Sequence, residues 1–225
     1  MLAFSMLFGR QKHFFMGKHG EGDVEVKQVT CACVGSSMKQ KTFLSTFTHN
    51  AFPEEGPVAA FNRFCVKVQF PDRSGQLQHV MLKIYDVLGD DGGKDLRERE
   101  FGDTKFDVFV VTFSLVNRAS LEKVQSIWRT EIDSGAAIVL VGLASDRRDD
   151  IMAGRIPAEE GETPVPTASG LGMKDTIGAQ EYIECSAKLG QNTNAVLEAA
   201  AKIGLRHQAR VKAAERARRR RCEVA

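Results

Sequence analysis

Residues 34–42 read Val34-Gly35-Ser36-Ser37-Met38-Lys39-Gln40-Lys41-Thr42, directly behind an apolar run from Val29 to Val34. A buried strand, a glycine-led loop, then Lys-Thr opening a helix is the order that a phosphate-binding loop requires. The pattern G-x-x-x-x-G-K-[ST] is met at Gly35, Lys41 and Thr42, with Gln40 in place of the second glycine. In such a loop the backbone N–H groups of residues such as Ser37, Met38, Lys39 and Gln40 wrap a phosphate. That needs unusual dihedrals and close approach, which glycine supplies. Lys41 would neutralise β- and γ-phosphate charge, and the Thr42 hydroxyl would ligate Mg²⁺. With one glycine missing the pattern is weak alone, and a chance loop stays open on these residues by themselves.

The rest of the chain supplies a frame for this loop. Phe64, Val66, Val68 and Phe70 alternate with polar residues, as do Val80, Leu82 and Ile84, which predicts two half-buried strands. Between them Pro71-Asp72-Arg73-Ser74-Gly75 reads as a turn, Pro fixing φ and Gly freeing it, so the two strands form a hairpin. Val108–Val111 and Ile138–Val141 are continuous apolar runs, suited to central parallel strands covered on both faces. Leu121, Val124, Trp128 and Ile132 between them fall at helical spacing. A last strand is expected at Tyr182–Cys185, and a last helix carries Val196, Ala199, Ala200 and Ile203. The sum is an α/β fold: a doubly wound, mostly parallel six-stranded sheet with one antiparallel edge strand. Ligands of such sheets bind at the carboxyl ends of the strands, where the loop lies.

Composition is that of one globular domain with short extensions: 225 residues, 43% hydrophobic and 27% charged. No apolar run approaches the roughly 18 residues of a membrane span. The net charge of +2 hides an asymmetry, because residues 202–225 hold nine Lys or Arg against two Glu and are +7, leaving the remainder at −5. Cys31, Cys33, Cys65 and Cys185 sit in strand patterns, an odd total of five cysteines with no metal-ligand spacing beyond one C-x-C. They read as small core residues in a reducing compartment. Residues 1–25 are expected to be a disordered extension, its apolar start too short for a signal peptide; an accessory membrane or partner contact is the other reading. Residues 149–163 are a polar insertion, and 206–225 a basic tail whose start continues the last helix.

Over roughly residues 26–205 the sequence resembles the Rho branch of the Ras-like small GTPases. Thr48-His49-Asn50-Ala51-Phe52-Pro53 is similar to the segment leading into switch I, Phe113-Ser114-Leu115-Val116 to the strand-four signature, and Glu184-Cys185-Ser186-Ala187-Lys188 to the last guanine loop. The 149–163 stretch sits where Rho proteins carry an insert helix. The resemblance implies GTP or GDP and Mg²⁺ as cofactors. It implies that Phe52 packs on the guanine edge and that Asp86 holds Mg²⁺ through water. Gly89 would sense the γ-phosphate, Asp146 accept the guanine N–H donors, and Ser186-Ala187-Lys188 offer an amide to the guanine oxygen. It also exposes departures. Gln40 adds a side chain where backbone approaches phosphate, and Ser37 replaces a glycine whose loss slows hydrolysis. Ala59 falls at the switch I threonine and Gly56 at an aromatic over the phosphates. Asp90 replaces the glutamine that orients water, and Ala144 a lysine that packs over the base. Loss of such groups costs about 10²–10³-fold each, against an intrinsic rate already on the order of 10⁻⁴ s⁻¹.

The end of the chain adds a second signal. Arg218-Arg219-Arg220-Arg221 precede Cys222-Glu223-Val224-Ala225. A Cys fourth from the end resembles a C-a-a-X box, so Cys222 is the expected lipidation site, with Glu223 a poor first aliphatic. One prenyl chain anchors marginally, and a polybasic stretch is the second signal. No base-stacking aromatics interleave with the arginines, so no nucleic-acid partner is expected. The expectation is a monomer on the cytoplasmic face of a membrane that meets effectors through its switch surface and hydrolyses GTP slowly or not at all. A nucleotide-free scaffold and a GTPase with a rearranged site are the alternatives.

Overall fold

The computed structural model describes residues 25–35, 40, 43, 44, 46, 63–87, 104–125, 132 and 135–222. Six strands form one sheet: β1 (Val26–Gly35), β2 (Arg63–Pro71), β3 (Leu77–Val87), β4 (Val108–Ser114), β5 (Ile138–Leu143) and β6 (Glu181–Cys185). Their order is β2-β3-β1-β4-β5-β6. Only β2 is antiparallel, paired with β3 through the expected hairpin; the other pairings are parallel. The expected fold class is therefore observed.

Two-residue periodicity sorts the core onto two faces. From β1, Cys31 and Cys33 join Leu82, Val110, Val139 and Val141 on one face. Helix α4 (Thr193–Cys222) covers that face with Val196, Leu197, Ala200 and Ile203, together with Phe43 and Leu44. Ala32 and Val34 point to the other face and meet Val111, Phe113 and Leu140 under Leu121 of α1 (Arg118–Lys123) and Ile177 of α3 (Thr167–Ile177). Close approach is built in at Gly204, where a Cβ would lie 2.4 Å from Val29 Cγ1, so α4 packs directly on β1. None of the described helices is long and apolar enough to cross a membrane.

Several expectations are refined. The turn after β2 is organised by Asp72, whose Oδ1 accepts from Ser74 N–H at 2.8 Å, Ser74 Oγ at 2.6 Å and Gln76 N–H at 3.0 Å, while Gly75 takes φ +85°. Cys65 was expected in the core but is exposed. Its neighbours Phe64, Val66, Val68 and Phe70 occupy the inward positions of β2, so Cys65 points out. Cys31, Cys33 and Cys185 are buried; burial pushes the Cys31 and Cys185 thiols up to about 12 and likewise holds Cys33 well above its ordinary value, so these thiols are inert. The insertion contributes only the end of helix α2 (Ser145–Met152), and residues 153–166 run as turns and extended chain. Gly154, Pro157, Gly161, Pro164 and Pro166 account for this, since Pro removes a donor and Gly favours turns. The basic tail is helical through Cys222 and exposed from Arg210 to Arg220. Trp128 and the N-terminal extension 1–24 lie outside the described residues.

Candidate functional site

Parallel pairing places the relevant loops along one edge. Cys33 pairs with Asp86 and Val34 with Val87, and Gly35 pairs with Thr112. The carboxyl ends of β3, β1 and β4 thus converge beside the phosphate-type loop. Gly35 takes φ +145°. A Cβ there would sit 2.1 Å from the Thr112 carbonyl oxygen and 2.3 Å from its Oγ1. The glycine is therefore demanded by the neighbouring strand, and a side chain would collide before any ligand is considered.

Gln40 follows in helical backbone, 2% exposed. Its side chain was expected to obstruct the approach of backbone to phosphate. Instead it runs into the end of the sheet. Nε2 donates to Asp86 Oδ1 at 2.6 Å, to the Cys33 carbonyl at 2.9 Å and, more weakly, to the Val87 carbonyl at 3.3 Å. Thr112 Oγ1 lies 3.3 Å from both Gln40 Oε1 and the Val34 carbonyl, to either of which it can donate. Three acceptors around one amide end fix its orientation, because the flipped amide would set oxygen against all of them. Asp86 itself is 4% exposed. A buried carboxylate requires donors, and here the chain provides one from its own loop.

The other end of the edge is built by α2 and β6. Ala144 caps α2 in the left-handed region, φ 66° and ψ 46°, without a side-chain bond to the helix. Asp146 follows in the first turn, where the helix dipole favours a carboxylate. Leu143, two residues before α2, pairs with Cys185 at the end of β6, so Asp146 and the loop after β6 leave adjacent strand ends; burial first, then the Asp146 charge, raises the Cys185 thiol. That loop is closed by Ser186 N–H to Gln191 O at 3.1 Å, Gln191 N–H to Ser186 O at 3.0 Å and Leu189 N–H to Ser186 Oγ at 3.1 Å. Ser186 is fully buried, Ala187 half-buried and Lys188 exposed.

Sequence reasoning missed what ties these parts together. Arg148 is 5% exposed. Its guanidinium grips both oxygens of Glu184, at 3.2 Å from Nη1 and more closely from Nη2, and Nη1 also donates to the Val165 carbonyl at 3.1 Å. Tyr182 Oη donates to Glu184 Oε1 at 2.7 Å, and the Asn192 amide donates to the Glu184 carbonyl at 2.9 Å. Burial pushes the Glu184 carboxyl up, but hydrogen bonds from Arg148, Tyr182 and Thr167 outweigh it and hold the group below its ordinary value. The residue before the last loop is thereby bolted to the helix that carries Asp146. The only signal in the sequence was an acidic residue, Glu184, within the last strand beside Cys185.

Among the expected site residues, then, Gly35, Gln40 and Asp86 meet at one end and Asp146, Ser186, Ala187 and Lys188 at the other. Ser37, Met38, Lys39, Lys41, Thr42, Phe52, Gly56, Ala59, Gly89 and Asp90 lie outside the described residues. A recess of about 1090 Å³ opens at the opposite edge, lined by Lys27, Phe106, Asp107, His207 and Val211 among others. It is at the amino ends of the strands and away from this chemistry.

The donor set suits a guanine nucleotide at its base end, where a carboxylate and a closed backbone loop adjoin. At the other end the Asp86 carboxylate accepts from the Gln40 amide nitrogen through Oδ1, and the amide oxygen is within reach of the Thr112 hydroxyl; a carboxylate with one such bond retains acceptor sites for a metal-bound water.

A mostly parallel six-stranded sheet, with a glycine loop after β1 and base-type elements after β5 and β6, defines a Ras-like P-loop fold. The family model of the Ras family matches residues 30–205, and the chain belongs to that family of small GTPases. Its members are GTP-binding signalling proteins that use GTP or GDP with Mg²⁺ and interact with effectors.

Proposed function

We propose that this protein is an atypical, Rho-like member of the family: a GTP-binding signalling module held at the cytoplasmic face of a membrane, with slow or absent hydrolysis. The observation that carries the reading is the contrast between the two ends of the site. The base end keeps Asp146 and the Cys185–Lys188 loop on adjacent strand ends, through the pairing of Leu143 with Cys185, whereas at the other end Asp86 accepts from Gln40. Ser37, Ala59 and Asp90 extend the depletion of the phosphate end in sequence. The Rho assignment is supported by the similarities at 48–53, 113–116 and 184–188 and by the position of the 149–163 stretch.

Membrane attachment is supported by the exposed basic end of α4 and by Cys222, exposed at its last turn. Each basic residue near an anionic surface adds roughly 1 kcal/mol. Prenylation of Cys222 would add the second anchor. Regulation then falls to expression, attachment and effectors, since an activating protein has little hydrolysis to accelerate. The Gln40–Asp86 bond also favours a second reading, a nucleotide-free scaffold that keeps the fold for protein binding.

Denaturing the purified protein and analysing the released nucleotide separates the two. Stoichiometric GDP or GTP is expected; none, together with no uptake of a labelled GTP analogue, leaves the scaffold. A single-turnover rate equal to that of ordinary Ras-type enzymes refutes the claim of slow hydrolysis. Cys222→Ser should release the protein from membranes, and unchanged partition refutes the lipid anchor.

A further inference from the structure

We infer that the recess at the amino ends of the strands is the docking site of this chain's own N-terminal extension, with Phe14-Phe15-Met16 as the segment that fills it. The recess exists because α4 is longer than the sheet it covers. Gly204 packs on Val29, and the Gln208 amide donates to the Gln28 carbonyl at 2.9 Å. Among the described residues that is the last hydrogen bond from α4 to the sheet, and the helix runs on to Cys222. One wall is therefore helical: His207, Gln208, Val211, Lys212 and Glu215 recur at the spacing of a single face. The other wall includes Phe106, Phe109 and Ala136, around the amino ends of β4 and β5.

Charge narrows the occupant. The lining holds Glu25, Asp107 and Glu215 against Lys27, Lys105 and Lys212, so carboxylates and ammonium groups balance and no net charge draws an anion or a cation. What stays uncovered is apolar: Val211, in the same lining as Phe106 and Phe109, is 42% exposed. The chain supplies an uncharged apolar segment beside it. Glu25 lines the recess, so residues 1–24 join the body at its rim. Phe14-Phe15-Met16 is the apolar cluster nearest to that point in sequence, and Gly17, Gly20 and Gly22 are among the eight residues between. Eight residues reach at most about 26–29 Å, against a recess whose volume of about 1090 Å³ is that of a cube about 10 Å on edge. The glycines let the chain reverse, and a tether this short gives an effective concentration on the order of millimolar, so even a weak contact is populated. Arg10, Lys12 and Lys18 flank the cluster and keep their charged ends in water. Docked, the segment ties the projecting half of α4 to the body and sets the direction in which the arm ending at Cys222 leaves it.

The test is hydrogen exchange read by mass spectrometry on the full chain, on the double variant Phe14→Ser/Phe15→Ser and on Val211→Glu, each shown folded by circular dichroism. Wild type should protect residues 10–18 about tenfold or more relative to an unstructured peptide, from the burial of two phenylalanines less the cost of ordering the segment. A roughly tenfold dilution should leave that protection unchanged, because the contact is intramolecular. Phe14→Ser/Phe15→Ser should speed exchange in residues 207–215, and Val211→Glu should speed it in residues 10–18, by similar factors. A local loss of helix at either place would not give that reciprocity. Unprotected residues 10–18 in the wild type, or a substitution at one end that leaves the other unchanged, overturns the inference. Protection that vanishes on dilution overturns it in favour of a second copy of the chain. Protection that appears only with vesicles of phosphatidylcholine and phosphatidylserine overturns it in favour of a membrane. If Val211→Glu does not fold, the double variant decides alone, since its substitutions lie outside the two core clusters of the sheet.

Discussion

Arg148→Met should loosen the base end of the site, with a signature in pH. Arg148 bonds both oxygens of Glu184, and these side chains are 7% and 17% exposed. Removing one partner of a buried pair costs about 3–5 kcal/mol. Glu184 keeps the Tyr182 hydroxyl at 2.7 Å, and methionine restores part of the packing, so about 2–3 kcal/mol is expected at pH 7. For a domain of this size that is roughly 4–12 °C in Tm. Glu184 has its folded pKa depressed. Its stabilisation is therefore fully present above the unfolded carboxylate value, about 4.3, and is lost as pH falls through the lower folded value. In Arg148→Met the burial of Glu184 remains while its strongest donor is gone, so its pKa rises and this dependence flattens or reverses. The difference between wild type and variant should accordingly shrink below about pH 4. Urea denaturation followed by circular dichroism at pH 7 and pH 3.5 measures both. A difference under about 0.5 kcal/mol at pH 7, or one that does not change with pH, refutes the assignment.

Three further outcomes are expected. Gly170→Ala puts a Cβ 2.2 Å from the Tyr182 ring and hydroxyl, in a ring stacked on Phe113 at 6.1 Å; a loss of about 1–3 kcal/mol should appear in thermal melts, and wild-type stability would refute the close packing of α3 on β6. Ala144→Gly relieves a left-handed residue at φ 66° and should stabilise by about 0.5–1 kcal/mol in urea melts, whereas destabilisation would show that Ala144 is unstrained. The Ser74 hydroxyl and then the Ser74, Gln76 and Gln78 donors hold the Asp72 carboxyl below 3.8. The Ser74 and Gln76 amide resonances should therefore report a transition centred below the ordinary aspartate value; one centred above it contradicts the turn described for Asp72.

Much of the frame was legible because it depends on local period. The alternation in β2 and β3, the apolar runs of β4 and β5, and the helical spacing of Val196, Ala199, Ala200 and Ile203 each report one face of one element. Cys65 was legible by the same rule, since its inward-pointing neighbours assign it outward, and reading it as core ignored that alternation. The failure of residues 153–166 to continue a helix follows from their Pro and Gly content. What no local pattern reveals is where a long polar side chain ends. Glu184 and Arg148 are separated by 36 residues and Gln40 and Asp86 by 46, and each pair exists only because the sheet stacks distant strand ends together. The glycine pattern identified position 40 as irregular. It did not reveal that the irregular side chain turns inward.

That inward turn bears on how the protein would signal. A ligand shifts a conformational equilibrium only through contacts that differ between the two states. In a nucleotide switch the difference between GTP and GDP is transmitted by γ-phosphate and Mg²⁺ contacts that order the switch segments. If Asp86 is satisfied by Gln40 whichever nucleotide is present, its bond is the same in both states and contributes nothing to the difference. Ala59 and Asp90 remove two further groups that the resemblance assigns to that end. The base end, held by Arg148 and Glu184, is likewise indifferent to the γ-phosphate. On this reading, exchanging GDP for GTP changes little in the surface shown to effectors. The level of the protein and the proposed membrane attachment through Cys222 would then be the variables that carry the signal.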